Sequence, residues 1–325
     1  MSSDLTNPIF TDEEKAREHF EAIRWPEGRV CPHCGTVGNS TLMQGKSHRP
    51  GLYKCKDCRK PFTATMGTVY ERSHIPLHKW LLATHLMCAS KKGISAHQLY
   101  RMLGFGSYRT AWFMAHRIRE AMRPQAGEPM GGGGGPVEVD ETFIGRDILR
   151  PPAPKEKFSI HNMNKVLSLV DRTTGEARSF VVTDLRMSTI TPIIEANLAR
   201  EAWLMTDEAQ RYVGLGWNFS GHGIVNHGKG EYVSQFDKRV HTNTVEGFYS
   251  IFKRGMRGVY QHCASRHLHR YVAEFDFRYT NRVANGVDDA TRAARAVAGV
   301  VGKRLTYRQP HGRRSFGLYG AEGYA

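Results

Sequence analysis

Two cysteine pairs, Cys31-Pro32-His33-Cys34 and Cys55-Lys56-Asp57-Cys58, lie twenty residues apart, and no other feature restricts this chain so tightly. Two tight Cys-x2-Cys knuckles bring four thiolates to the corners of a tetrahedron, the geometry zinc takes in structural sites. Four buried, unpaired thiols are the alternative. Residues 29–66 therefore read as a zinc ribbon, two hairpins stapled by Zn2+ because so short a segment buries too little apolar surface to fold alone. Four protein ligands leave no open position, so this zinc is structural. Lys46, His48, Arg49, Lys54, Lys56, Arg59 and Lys60 surround the knuckles. They favour nucleic acid as what the ribbon meets, while the spacing leaves DNA, RNA and protein open.

Charge carries the same message over the whole chain. Of 325 residues, 46 are Lys or Arg and 31 Asp or Glu, a formal net charge of +15. An excess of that size suits a polyanionic partner, with counterion release favouring phosphate contacts; a basic but otherwise ordinary enzyme is the plainer reading. With 40% hydrophobic and 10% aromatic residues, the chain has the material for real cores, which excludes a disordered protein. No apolar run reaches the roughly 18 residues that a membrane-spanning helix needs. The opening MSSDLTNPIFTDEEK lacks the layout of a signal peptide. A cytoplasmic, nucleoid-associated protein with reduced thiols is expected, and Cys88 and Cys263 are then simple buried thiols.

Along the chain, residues 1–28 hold an amphipathic helix over 11–24 with Thr11 as its N-cap. Residues 67–127 read as three short helices, the second opened by Ser95 and closed by Gly104. Two helices around a Gly-containing turn fit a helix-turn-helix whose second helix enters the major groove. Arg109, Arg117 and Arg119 are then candidate DNA contacts; a plain helical connector with solvated arginines is the alternative. Gly131–Gly135 followed by Pro136 reads as a flexible linker over 128–136 and as a domain boundary. Beyond it, a strand over 137–145, strands over 165–170 and 178–183, a helix over 188–198 and a strand over 203–207 predict an α/β layer. That order, three antiparallel strands, a helix, a further strand and more helix, is the order of a ribonuclease-H-like core, set here at residues 137–290. From Asn285 onward a helix gives way to Lys303, Arg304, Arg308, Arg313 and Arg314, and residues 291–325 read as a basic tail.

Three acids fall where such a core gathers them: Asp140 on its first strand, Asp207 at the end of a later strand, and Glu246 in HTNTVEGFYSIFKRGMRGVY (241–260). At helical spacing, Val245, Phe248, Tyr249 and Phe252 form an apolar stripe, and Glu246, Ser250, Lys253 and Arg257 share another face. Carboxylates on two strands and a helix suit two divalent cations, Mg2+ or Mn2+, beside a phosphodiester. Lys253, with His241, Arg254 and Arg257, would hold phosphates. Each acid has a plainer reading: Glu138 or Glu141 as the ligand if the register slips, Asp207 as an N-cap, and Glu246 in a capping box with Asn243. His227, in Asn226-His227-Gly228-Lys229-Gly230, either lines the site or serves only its turn.

VEVDETFIG, LMTDEAQRY, VNHGKGEYV, HTNTVEGFYSIFKRGMRGVYQH and HLHRYVAEFDFRYTNR, together with the ribbon, strongly resemble bacterial insertion-sequence transposases of the zinc-ribbon DDE class, the ISXO-like branch. The resemblance runs from about Cys31 to Arg282. It implies a ribonuclease-H-like catalytic core that cuts DNA at transposon ends and joins the 3′-hydroxyls to a target. Asp140, Asp207 and Glu246 match the acidic triad, and Lys253 the basic residue after it. It also implies a homodimer or larger synaptic complex on two DNA ends. A non-catalytic zinc-ribbon DNA-binding regulator with a relic nuclease core is the competing reading.

Overall fold

A computed structural model describes residues 4–124, 127–148, 151–152, 157 and 159–306. The chain divides into two compact units. One takes in everything up to Arg123 together with the stretch that begins at Val287; the other runs Pro124–Gly286.

The first unit opens with helix α1 (Glu13–Arg24). Its N-cap is Asp12 rather than the expected Thr11: the Asp12 carboxylate accepts the Glu14 and Lys15 amides, while Thr11 closes a preceding 3-10 turn. A charged cap on free amides is the better match to the helix dipole. The ribbon follows as a three-stranded antiparallel sheet of β1 (Ser40–Leu42), β2 (Tyr53–Cys55) and β3 (Pro61–Phe62). Trp25 stands edge-on to Tyr53 and Phe62, with ring centroids 6.0 Å away in both cases, a small aromatic core beside the knuckles.

Helices α2 (Leu77–Ala89), α3 (Ala96–Met102) and α4 (Tyr108–Met122) come next. The first turn of α2 is capped from α1, whose Glu13 carboxylate accepts the Leu77 amide at 2.8 Å. Ser95 and Ser107 cap α3 and α4 through their hydroxyls, and Gly104, at φ +60°, ends the turn after α3.

The second unit is built on a five-stranded sheet of β4 (Pro136–Arg146), β5 (Met163–Asp171), β6 (Ala177–Val182), β7 (Trp203–Asp207) and β8 (Gly221–Val225), in the order β6-β5-β4-β7-β8. The first three strands are antiparallel neighbours; β7 and β8 run parallel to β4. The sequence reading placed no strand at β8, because Gly-His-Gly-Ile-Val offers neither alternation nor a run of β-formers.

Both faces of the sheet are covered. Val137, Val139, Leu167 and Leu169 pack with Ile190 and Ile194 of α5 (Met187–Asn197). Ile144, Val166 and Val170 pack on the other side with Val245, Phe248, Tyr249 and Phe252 of α7 (Asn243–Gly255) and Phe275 of α8 (Leu268–Thr280). A four-residue helix, α6 (Gln210–Val213), follows β7.

The five glycines are not a free linker. Gly132–Gly134 form a 3-10 turn that leads into β4, and the Gly131 amide donates to Asp171 at 2.9 Å. Gly131 sits at φ +76°, and a Cβ there would lie 2.5 Å from Ala202. Glycine is demanded by conformation and by close approach, not by flexibility.

The helix expected from Asn285 onward is present and runs into the stretch read as a basic tail. Helix α9 (Asp289–Ala298) returns to the first unit and packs against α1, α2 and α4. It is amphipathic: Ala296 and Val297 are buried, and Arg292 reaches inward to donate to the carbonyls of Cys88 and Val287. Arg308, Arg313 and Arg314 lie outside the described residues.

Candidate active site

Register decides which face each acid takes. Glu138 pairs with Met205 across the parallel β4–β7 ladder. Asp140 and Asp207 each lie two residues further on, so both project from the face that α7 covers. Glu246 sits in the first turn of α7. Burial, together with the charges of Glu141, Asp207 and Glu246, pushes the Asp140 carboxyl up to about 7, although the Glu141 amide hydrogen-bonded to it acts the other way. The three acids thus share one electrostatic neighbourhood.

The alternatives at each position are occupied elsewhere. Glu138 is fully buried and bound to Arg172 and the Val245 amide. Glu141 points to the opposite face, accepting from the Tyr212 hydroxyl and pairing with Arg211 at 2.6 Å. Burial still raises the Glu141 carboxyl, with Tyr212 and Arg211 opposing. Asp207 caps no helix: it accepts the Ala209 amide at 3.0 Å in a local turn, and α6 starts at Gln210. Nor does Glu246 close a capping box. Asn243 is already the first helical residue, and Glu246 instead receives the Thr242 hydroxyl at 3.4 Å.

His227 lies beside Glu246. Its Nε2 lies 3.4 Å from Glu246 Oε1 and 3.2 Å from Thr242 Oγ1. Glu208, directly after Asp207, accepts the amides of His227 and Gly228 and so fixes that turn; these bonds, with its own backbone amide, hold its carboxyl below the ordinary range. Lys253 lies with its ammonium 5.9 Å from the Tyr249 ring, and the Tyr249 hydroxyl donates to the Asp140 carbonyl. His241 does not stand free for phosphate. It lies against Glu138, and burial, with Arg172 nearby, lowers its pKa and favours the neutral ring.

The metal chemistry of the two clusters differs. Cys31 and Cys58 Sγ are 3.7 Å apart, as are Cys34 and Cys55. A zinc tetrahedron with Zn–S of about 2.3 Å has edges of about 3.8 Å, so the thiols fit that ion. Among the described residues, this is the one group of three or more His, Cys, Asp or Glu whose ligand atoms all lie within 4.8 Å of one another. Asp140, Asp207 and Glu246 do not form such a group; their hard carboxylate oxygens are of the kind that Mg2+ or Mn2+ takes, not Zn2+ on thiolates.

Residues 133–280 match the model of the ISXO2-like transposase domain, and residues 11–61 that of the transposase zinc-ribbon domain. The chain belongs to this transposase family. A relative in the transposable element ISH50 of Halobacterium salinarum, described as an uncharacterized protein, is 28% identical over 288 residues, covering 83% of this chain and 91% of its own. The transposase domain match contains Asp140, Asp207, Glu246 and Lys253, and the ribbon match contains all four cysteines.

The arginines of this transposase divide by burial. Arg109, at the start of α4, is exposed. Arg117 and Arg119 are buried, which removes them as DNA contacts. The Arg117 guanidinium donates to the Glu71 carbonyl at 2.7 Å and stacks near Trp80 and Phe113. Neither the expected DNA contact nor the solvated alternative fits that burial, because charge alone does not reveal which face of α4 meets the core. Arg254 is exposed but folds back on Ser250 of its own helix; Arg257 is exposed in a π-helical turn, Met256–Tyr260. Sequence reasoning missed Arg172 and Glu208, whose partners lie 19 to 69 residues along the chain, and Thr242, which bonds Glu246 one turn on. No described helix is long and apolar enough to cross a membrane.

Proposed function

We propose that this transposase cuts a phosphodiester at each end of its element and joins the freed 3′-hydroxyls to target DNA. Its core is ribonuclease-H-like, a reading supported by three antiparallel strands extended by two parallel ones in the order β6-β5-β4-β7-β8. The observation that carries the proposal is the shared neighbourhood of Asp140, Asp207 and Glu246 on one face of that sheet. Two divalent ions held there would supply charge to the attacking and leaving oxygens.

The chain's own residues do the rest. Asp140 and Asp207 are fixed by the β4–β7 ladder, and His227 and Thr242 hold Glu246. Lys253, resting on Tyr249, presents a cation to the phosphate next to the cleaved bond, contributing position and charge rather than proton transfer. Arg257 extends the same basic surface along the exit of α7, with Arg254 beside it. In the first unit, Lys91, Lys92, Arg101 and Arg109 are exposed around α3 and the start of α4, as a helix-turn-helix that reads the transposon end requires. Two ends brought together call for a homodimer or larger complex, working in the cytoplasm on the nucleoid.

The test is divalent-metal-dependent cleavage of DNA carrying the element's ends, wild type beside Asp207→Ala. Nicking in Mg2+ or Mn2+ that disappears in the variant supports the proposal. A folded, zinc-loaded chain that binds those ends and never nicks them makes it a DNA-binding regulator instead.

A further inference from the structure

We infer that Glu138 and Arg172 are positioning residues that lock the start of α7, and with it Glu246, onto the strand that carries Asp140. The inference rests on the reading of the three acids as cation ligands and adds how the third is brought to the other two.

Glu138 is a carboxylate with no exposure at all in the middle of the sheet, two residues before Asp140 on the same face. One oxygen takes the Arg172 Nε; the other accepts the Val245 amide at 2.8 Å. Val245 is the third residue of α7, and its amide is one of the free donors at a helix start. Thr242, the N-cap, makes no side-chain capping bond, so this amide is satisfied from the sheet. Glu246 is the next residue. The bond that anchors the helix is therefore one residue from the third acid at one end and two from the first at the other.

Arg172 completes the clamp. Its amide donates to the Pro136 carbonyl at the start of β4, which fixes its backbone to the same strand. Its guanidinium spends Nε on Glu138, Nη1 on the Arg239 carbonyl and Nη2 on the His241 carbonyl at 2.6 Å. Residues 239–241 are the approach to α7. One planar fork thus holds the chain entering the helix while Glu138 holds the helix itself. A buried ion pair adds little net stability over apolar residues of similar volume. Its directional bonds fix geometry, which is what a site of convergent carboxylates needs.

Lysine at 172 keeps the charge and has three donors, but all three radiate from one nitrogen and cannot span the three separate acceptors that the planar fork reaches. Aspartate at 138 keeps the charge but is a methylene too short to reach both Arg172 and Val245. The full chain, zinc-loaded, is made as wild type, Glu138→Asp and Arg172→Lys. Mn2+ binding is followed by water-proton relaxation, and nicking of end-bearing DNA is measured across a Mn2+ series. Both variants are expected to keep a cooperative thermal transition and wild-type end binding. Mn2+ binding should weaken about 10–100-fold, the cost of losing partners that orient ligands, and nicking should recover at high Mn2+. Folded variants that bind Mn2+ like wild type overturn the inference, and so does loss of folding in both, which makes the pair purely structural. A wild type that binds no Mn2+ overturns the reading of the acids as well.

Discussion

Three carboxylates within four residues of one strand have three different fates. Glu138 is buried and clamped, Asp140 faces the other acids, and Glu141 is held on the opposite face by Tyr212 and Arg211. Only Asp140 combines a place on the α7 face with freedom from an arginine partner. Asp140→Asn, nearly isosteric, is expected to lower nicking by about 10³-fold or more, since loss of a cation ligand removes several kcal/mol of transition-state stabilisation. Wild-type end binding in a gel-shift assay and single-turnover nicking measure the two quantities; a variant that cuts like wild type would remove Asp140 from the site.

Asp276 gives a second residue-scale prediction, in folding. Wholly buried on α8, it accepts the Ser179 amide and hydroxyl, yet burial outweighs these bonds and raises its carboxyl from 3.8 to about 8. The fold holds a proton there that the unfolded chain releases. The resulting stabilisation is complete below pH 3.8 and lost as pH rises through about 8. Asp276→Asn should keep the bonds: the amide oxygen accepts the Ser179 amide, while the NH2 donates to the Ser179 hydroxyl, which passes its proton to Ser168 at 2.7 Å. The melting temperature of the variant relative to wild type is expected to climb from pH 5 to pH 9. A constant difference between the two would refute the buried proton.

At the scale of elements, the ribbon and the sheet hold together by different means. The three-stranded ribbon depends on four thiols around one ion, while the five-stranded sheet has a core on each face. Chelation of zinc is expected to unfold the ribbon and leave the sheet intact. Hydrogen exchange would show protection lost over β1–β3 and retained over β4–β7; equal loss in both would contradict the separation. The ribbon and the apolar stripe of α7 were legible in the sequence because each is a local pattern, two spaced cysteine pairs and a 3.6-residue period. The acids could be placed because strand ends and helix faces follow from such patterns. The Glu138 clamp was not legible: its partners lie 34 and 107 residues away, and nothing near Glu138 distinguishes it from Asp140 or Glu141. The glycine run misled for the same reason, since Ala202 and Asp171, which require a glycine at 131, are distant in sequence.

On the scale of the whole molecule, the chain leaves its first unit at Arg123, builds the second, and comes back. The return is a packing necessity. Helices α1, α2 and α4 leave an apolar surface that α9 covers with Ala296 and Val297, and Val300 follows it into the interior. At Gly299, a Cβ would fall 2.3 Å from the Ala121 carbonyl, so α9 and α4 meet closely at this point. The first unit therefore depends on residues made after the second. Val297→Asp places an unpaired carboxylate in that contact and should cost roughly 3 kcal/mol or more. Limited proteolysis is expected to cut the variant within residues 67–123, and end binding should fall. Mn2+ binding by the second unit should stay as in wild type, because its sheet has a core of its own on each face. Unchanged proteolysis would mean that α9 is dispensable to the first unit; loss of Mn2+ binding together with end binding would mean that the two units fold as one.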